Sequence, residues 1–324
     1  MAGSIITCRP GFESALVEEY AHAAPRGEGY VHMNRLLPRR PLVFERQRMA
    51  DVMALAPGEA KPLTEKAARA ILRRILLEET LWTTHTFHSD PEIASRAEGF
   101  EHALLRTCRK MDTGTFKCWR KPEKLIARNT GLAVQLFFAR DQVWYTTSSI
   151  DEMFDRWPGG VRRMKMDTDS PSRSYLKLEE AFSYLGREPQ PGETVVDLGA
   201  APGGWSHACL KRGARVLAVD NAPMKIDHPQ LTSLRHNGLS FKPDVPVDWL
   251  LSDMLVPPGK VISLLRNWVG KGWAKHIVFN VKIPQEQAYR ALVPLLTYLA
   301  GTGVEIRLKQ LYHDRREVTG FGSF

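Results

Sequence analysis

Two acids and a run of glycines near residue 200 have the types and spacing of a nucleoside site. The segment Thr194-Val-Val-Asp-Leu-Gly-Ala-Ala-Pro-Gly-Gly-Trp205 is an apolar run that ends in Asp197 and Gly199 and turns through Pro202-Gly203-Gly204. A second apolar run, Arg215-Val-Leu-Ala-Val-Asp220, closes on another acid. Gly199, Gly203 and Gly204 let bare backbone approach a ligand, and an acid about 20 residues beyond such a turn can accept both ribose hydroxyls. In dinucleotide enzymes the second glycine of the loop makes room for a pyrophosphate. Here Ala200, Ala201 and Pro202 fill that space. The ligand that fits is an adenosine without phosphates, as in S-adenosylmethionine, and the spacing speaks against a dehydrogenase using NAD.

Four charged residues fall where a cleft beside that loop should lie. Asp253 follows the apolar run Val247-Asp-Trp-Leu-Leu-Ser252, and Lys282 follows His276-Ile-Val-Phe-Asn-Val281. Glu317 follows Leu311-Tyr-His-Asp-Arg-Arg316, and Lys177 lies on the helical segment before the first strand. Singly, each is an ordinary loop charge or cap. Together they set two ammonium and two carboxylate groups beside a methyl donor. A ribose 2′-hydroxyl is a poor nucleophile until its proton is shared or removed. Lysine has a pKa of roughly 10.4, but a desolvated lysine near other positive charge is pushed down toward a useful base. Asp253 and Glu317 would orient the ammonium groups, and Lys177 would stabilise negative charge on the oxygen. Spacing leaves open which lysine takes the proton. This chemistry needs no metal, and no cluster in the sequence has metal-ligand spacing.

The elements that must position these residues can be read from periodicity. From Thr194 onward strands near 194–198, 215–219, 247–252, 276–281 and 305–311 alternate with helices at 204–212, 259–269 and 285–300, after a helix at Tyr175–Leu185. This α/β pattern predicts a doubly wound, largely parallel sheet over 172–324, with ligands at the carboxyl ends of its strands. Residues 1–150 read as an α+β region of ferredoxin-like type. Its expected strands are Ile5–Arg9, Gly29–Met33, Leu42–Glu45 (the last two around a turn at Pro38–Pro41) and Leu81–Phe87, with a hairpin at Ala133–Arg140 and Val143–Thr147 turning at Asp141-Gln142. Its expected helices are Glu13–Ala24, Leu63–Glu79 and Ile93–Met111. Residues 151–171, with Pro158-Gly-Gly160 and little periodicity, read as a linker.

Composition bounds the class. The 324 residues carry a formal net charge of +9, with 43% hydrophobic and 25% charged residues, which suits two globular domains and a polyanionic partner. Cys8, Cys108, Cys118 and Cys209 are scattered, as expected for reduced thiols in a cytoplasmic protein. No apolar run approaches the length of a membrane span. Between Arg106 and Arg128, Arg106, Arg109, Lys110, Lys117, Arg120, Lys121, Lys124 and Arg128 face only Asp112 and Glu123, with Phe116 and Trp119 interleaved. Basic groups attract phosphates and aromatic faces stack on unpaired bases; the competing reading is a solvated face with one buried tryptophan.

The order Lys177, Asp253, Lys282, Glu317 together with the Asp197–Gly204 loop resembles the K-D-K-E tetrad of FtsJ-like ribose 2′-O-methyltransferases. Cys8-Arg-Pro-Gly-Phe-Glu13, Pro171-Ser-Arg-Ser-Tyr-Leu-Lys-Leu-Glu-Glu-Ala-Phe182, Val219-Asp-Asn-Ala-Pro-Met224 and Gln310-Leu-Tyr-His-Asp-Arg-Arg-Glu-Val318 resemble the RlmM family. That resemblance implies a Rossmann-like methyltransferase domain after a THUMP-containing RNA-binding region, methylating a cytidine ribose of bacterial 23S rRNA during ribosome biogenesis. It further implies Lys282 as proton acceptor and cofactor contacts at Ser174, at Ala201 to Gly204, and at Asp220 and Asp253. Asp197, Gly199, Trp205 and Asn237 complete the expected cofactor set. Two departures stand out. Asn237 precedes Gly238 where the family tends to place an acid, which is expected to retune binding of the adenine amino group. The segment Thr319-Gly-Phe-Gly-Ser-Phe324 replaces a basic strand that continues in relatives, and its glycines are expected to weaken the sheet edge that supports Glu317. The competing functions are the same chemistry on another RNA such as tRNA, and a non-catalytic RNA-binding assembly factor.

Overall fold

A computed structural model of the chain describes residues 3–20, 24–33, 40–55, 60–78, 80–140 and 142–324. It divides into two compact units, Met1–Arg162 and Arg163–Phe324. The first is built from β1 (Gly3–Cys8), α1 (Glu13–Glu19), β2 (Ala24–Gly27), β3 (Tyr30–Met33), β4 (Glu45–Leu55), α2 (Ala60–Glu78), β5 (Trp82–His88), α3 (Ala94–Met111), α4 (Thr113–Phe116), α5 (Pro122–Arg128), β6 (Leu132–Phe138) and β7 (Val143–Ser149). Its seven strands run in the order β2-β3-β1-β4-β7-β6-β5. Ala68, Ile71 and Ile75 of α2 and Ala97, Leu104 and Cys108 of α3 pack with Trp82, Val134 and Leu136 of the sheet in one buried cluster.

One expectation for this unit needs correction. The strand expected at Leu42–Glu45 begins at Glu45 and runs to Leu55. Its first two inward positions are polar, which hid the alternation. Glu45 and Gln47 are both 0% exposed; Glu45 accepts the Leu42 amide at 2.6 Å, and the Gln47 side-chain amide donates to the Asp155 carbonyl at 2.8 Å. The expected linker is packed from both ends. Gly159 and Gly160 adopt positive φ, and a Cβ on Gly160 would lie 2.2 Å from the Arg46 carbonyl oxygen. These glycines serve close approach to β4 and β5, not flexibility. In the second unit, Asp167 is tied to His207 at 3.1 Å and to Lys211 at 2.7 Å. Residues 21–23, 38–39 and 141, parts of the expected first helix and two turns, lie outside the described residues.

The second unit contains α6 (Tyr175–Leu185), β8 (Thr194–Leu198), α7 (Gly204–Leu210), β9 (Arg215–Asp220), β10 (Leu231–Arg235), β11 (Val247–Ser252), α8 (Pro258–Trp268), β12 (Ala274–Lys282), α9 (Ala288–Gly301), β13 (Ile306–Lys309) and β14 (Glu317–Ser323). The sheet order is β10-β9-β8-β11-β12-β14-β13. All pairings from β10 to β12 are parallel, whereas β14 is antiparallel to both β12 and β13. Residues of alternate parity are equally buried: Val195, Trp249 and Val278 join a cluster with α6 and α7, and Val196, Leu250 and Ile277 are also buried. Both faces of the sheet are therefore covered, as a parallel sheet requires.

The topology brings chemistry to one edge. Parallel strands put Leu198, Asp220, Ser252 and Lys282 at the same, carboxyl-terminal edge. Because β14 runs the other way, its first residue arrives there too, with Glu317 directly opposite Lys282.

The glycines of β14 do not weaken this edge. Gly320 lies opposite Phe279, and a Cβ there would sit 2.2 Å from the Phe279 ring. The ring covers the space that a side chain would take, the arrangement by which aromatic residues support strand glycines. Gly320→Ala is expected to cost about 1–3 kcal/mol through overpacking. Urea unfolding at neutral pH checks this, and an unchanged midpoint would mean that the Phe279 ring moves aside freely.

Candidate active site

The loop from β8 to α7 is shaped by its glycines. Gly199 and Gly203 have φ values of +76° and +119°, and a Cβ on Gly199 would meet Met254 at 2.6 Å. The Ala201–Pro202 peptide is cis. At Gly204 a Cβ would lie 2.7 Å from the Ser174 hydroxyl, so α6 begins against the first turn of α7. Trp205 is 1% exposed, and its indole N–H donates to the Ser174 carbonyl at 2.9 Å. Its side chain braces Ser174 from the core side, which leaves only its backbone facing the loop.

Asp197 is 0% exposed. One carboxylate oxygen accepts from the Ser206 hydroxyl at 2.7 Å, and the other, Oδ1, is buried without a hydrogen-bond partner. Burial pushes its pKa up to about 7 against the Ser206 bond that opposes it. Asp220, at the end of β9, accepts the Ala201 amide at 3.0 Å and the Ala222 amide at 2.8 Å. Each carboxylate oxygen has two acceptor sites, so two remain for ribose hydroxyls. Asn237 is exposed and closes its own turn by accepting the Leu239 amide at 3.0 Å. A Cβ on the adjacent Gly238 would lie 2.8 Å from the Met254 sulfur and 3.2 Å from Leu198. The Asn237 turn thus rests on the same Met254 side chain as Gly199, and the two loops flank one cradle.

Lys177, Glu317 and Asp253 lie close together at the end of that cradle, and Lys282 is on the same strand edge opposite Glu317. The Lys177 ammonium forms an ion pair with Glu317 Oε1, with side-chain exposures of 13% and 9%. Glu317 Oε2 accepts the Arg316 amide at 2.8 Å. Burial lowers the Lys177 pKa, but Asp253, Asp314 and Glu317 outweigh it, and the net shift is upward. Asp253 is itself raised, chiefly by burial, with Lys177 and a hydrogen bond from Asn280 opposing. Asn280 Nδ2 donates to Asp253 Oδ1. Lys282 has an exposed side chain, while its backbone amide donates to the Val256 carbonyl at 3.0 Å. One lysine is therefore a buried, paired cation and the other an exposed amine beside it.

Residues that sequence reading passed over hold this arrangement. Glu180, one turn after Lys177 on α6 and 0% exposed, accepts the Tyr312 and His313 amides at 2.9 and 3.1 Å. This fixes the turn that delivers Glu317. Asn280 and Thr319 lie opposite each other on β12 and β14. A polar residue inside the apolar run Ile277-Val-Phe-Asn-Val281 was the available signal.

In the first unit, Arg106, Arg109, Lys110, Lys117, Lys121 and Lys124 are exposed along α3 to α5. Arg120 is tied back, donating to the Lys117 and Trp119 carbonyls at 2.6 and 2.8 Å. Trp119 stacks on Phe116 with centroids 6.3 Å apart, packs against the core and buries its indole N–H. The segment presents cations rather than a free tryptophan face.

Comparison with known proteins places this geometry. Residues 171–289 match the FtsJ-like methyltransferase family, a span that includes the glycine cradle, Lys177, Asp253 and Lys282. The methyl donor of that family's reaction is S-adenosylmethionine. A ribosomal RNA large subunit methyltransferase M of Laribacter hongkongensis is 43% identical over 209 residues, 60% of this chain and 59% of that protein. Proteins of the same name from Marinomonas sp. (strain MWYL1) and Methylococcus capsulatus are 30% and 32% identical. These alignments cover 98% of this chain in both cases, and 98% and 97% of the relatives. No helix among the described residues is long and apolar enough to cross a membrane. With the likeness running the length of the chain, this protein belongs to the ribosomal RNA large subunit methyltransferase M family.

Proposed function

We propose that this chain methylates the 2′-hydroxyl of a cytidine ribose in 23S rRNA. The observation that carries the reading is the buried Lys177–Glu317 pair, set with Asp253 and Lys282 at the strand edge that also holds the glycine cradle. The cradle fits S-adenosylmethionine. Gly199 lets Met254 pack against the loop backbone, Asp197 Oδ1 is an unused buried acceptor, and Asp220 stands where ribose hydroxyls would lie. When bound, the cofactor supplies an electrophilic methyl group. Ser174, Asp197, Ala201 to Gly204, Asp220, Asn237 and Asp253 would hold it, Trp205 through its backbone.

The lysines divide the remaining work. Lys177, held above the usual ammonium range by the surrounding carboxylates, stays charged and suits stabilisation of the developing alkoxide. Paired in this way, it is poorly suited to act as the base. Lys282, on the same strand edge opposite Glu317, is the proton acceptor that the family resemblance implies. Holding hydroxyl and methyl in line supplies much of the rest of the acceleration. Residues 1–150, as a THUMP-containing region, would grip the RNA, and 172–324 would carry the chemistry.

Asp220→Ala is expected to weaken S-adenosylmethionine binding by roughly 1–3 kcal/mol, the cost of unpaired buried polar groups. Calorimetry that finds unchanged affinity in the folded variant would remove Asp220 from the site. Lys282→Ala should abolish methyl transfer to 23S rRNA while cofactor affinity stays within about threefold, because its role arises in the transition state. Near-normal turnover would assign the proton to another group. Neutralising Lys117, Lys121 and Lys124 together should weaken RNA binding and reduce its salt dependence by close to one slope unit per lost phosphate contact. Filter binding across a salt series reads both, and an unaltered slope would make this segment a merely solvated face.

A further inference from the structure

Three polar side chains sealed inside the sheet form a continuous path to Asp253. Asp314 and Thr319 are 0% exposed and Asn280 is 1% exposed. The Thr319 hydroxyl lies 2.8 Å from Asn280 Oδ1, and 3.1 and 3.0 Å from the two carboxyl oxygens of Asp314. Asp314 Oδ2 also accepts the Leu311 amide at 2.9 Å. At the other end, Asn280 Nδ2 donates to Asp253 Oδ1.

Proton counting fixes the direction of this path. A threonine hydroxyl carries one proton, and an amide oxygen only accepts. Turning the Asn280 amide over would set its oxygen against the Asp253 carboxylate, so its nitrogen faces Asp253 and its oxygen faces Thr319. Thr319 therefore gives its single proton to Asn280. Toward Asp314 it presents lone pairs alone, and the proton that joins the two must come from Asp314. Charged groups that act on Asp314 include Lys177 and Glu180 from α6 and Glu317 from β14. Lys177 favours an ionised Asp314, but its direct partner is Glu317, and both glutamates oppose a further negative charge. Burial is the largest influence and lifts the Asp314 carboxyl well above the usual range.

We propose that Asp314 is a positioning residue of the methyl-transfer site, a neutral carboxylic acid whose proton starts a one-way hydrogen-bond chain through Thr319 and Asn280 that fixes the Asp253 carboxylate beside Lys177. The consequence for rate rests on the methyltransferase reading above. The protonation state does not.

The test has two arms on the full chain. In the first, wild type and Asp314→Asn are unfolded with urea between about pH 5 and 8. A carboxyl whose folded pKa is raised gives stability that is complete below its unfolded value and is lost as pH rises toward the folded one. The asparagine variant lacks that loss. Its folding constant relative to wild type should rise close to tenfold per pH unit, and a flat or falling ratio would overturn the proposal by showing Asp314 ionised. In the second arm, single-turnover methyl transfer from labelled S-adenosylmethionine to 23S rRNA is compared among Asp314→Ala, Asp314→Asn, Thr319→Val and Thr319→Ser. Asp314→Ala and Thr319→Val should lower the rate about tenfold or more, with KM for the cofactor within about twofold. Asp314→Asn and Thr319→Ser, which keep a donor at each link, should restore most of it. Loss in Asp314→Asn as deep as in Asp314→Ala would overturn the chain. If wild type itself transfers no methyl, the function proposed above fails, and the pH slope still decides the state of Asp314.

Discussion

The structure around the site depends on how one buried cation is paired. Lys177 carries its ammonium to a place where the side chain is 13% exposed, and taking such an ion from water costs several kcal/mol unless close partners offset it. Glu317 is the direct partner, with Asp253 close enough to act through the field. Each arrives by a different route. Asp253 comes from the end of β11, and Glu317 from a strand that must run against its neighbours to begin at that edge. Glu180 pins the preceding turn to the helix that carries Lys177. Further along the same strand, Gly320 leaves room for Phe279. Ordinary sheet packing and the placement of a charge are thus one problem here.

The same constraint separates two lysines that look alike in sequence. A cation held by the Glu317 and Asp253 carboxylates is stabilised in its charged form, which suits electrostatic work and unsuits it for taking a proton. Lys282 stands across the ladder from Glu317 with its amine toward solvent.

Much of the catalytic unit was legible because its strands are short apolar runs ending in acids and glycines. Tyr175–Leu185 and Val247–Ser252 fall at the expected bounds, and the Asp197–Gly204 loop folds as its glycines require. What escaped was polar and inside. Glu45 and Gln47 break the alternation of β4 because they face inward and are satisfied there, and Asn280 reads as a lapse in an apolar strand until Asp253 and Thr319 appear on either side. Glycine misled at one strand. Gly320 suggested a weak edge, yet it marks backbone packed against a neighbouring ring. Spacing in sequence reports a glycine's freedom but not the atom that needs the space.

The central claim is that this assembled edge directs a methyl group to a ribose oxygen of one RNA. The most direct measurement is incubation of the full chain with labelled S-adenosylmethionine and either unmodified 23S rRNA or tRNA, followed by mapping of the label to the nucleotide and atom. The account predicts label on the 2′-oxygen of a cytidine in 23S rRNA and none on tRNA. Label on a base, label on tRNA, or none on 23S rRNA from a folded protein that binds the cofactor would contradict it.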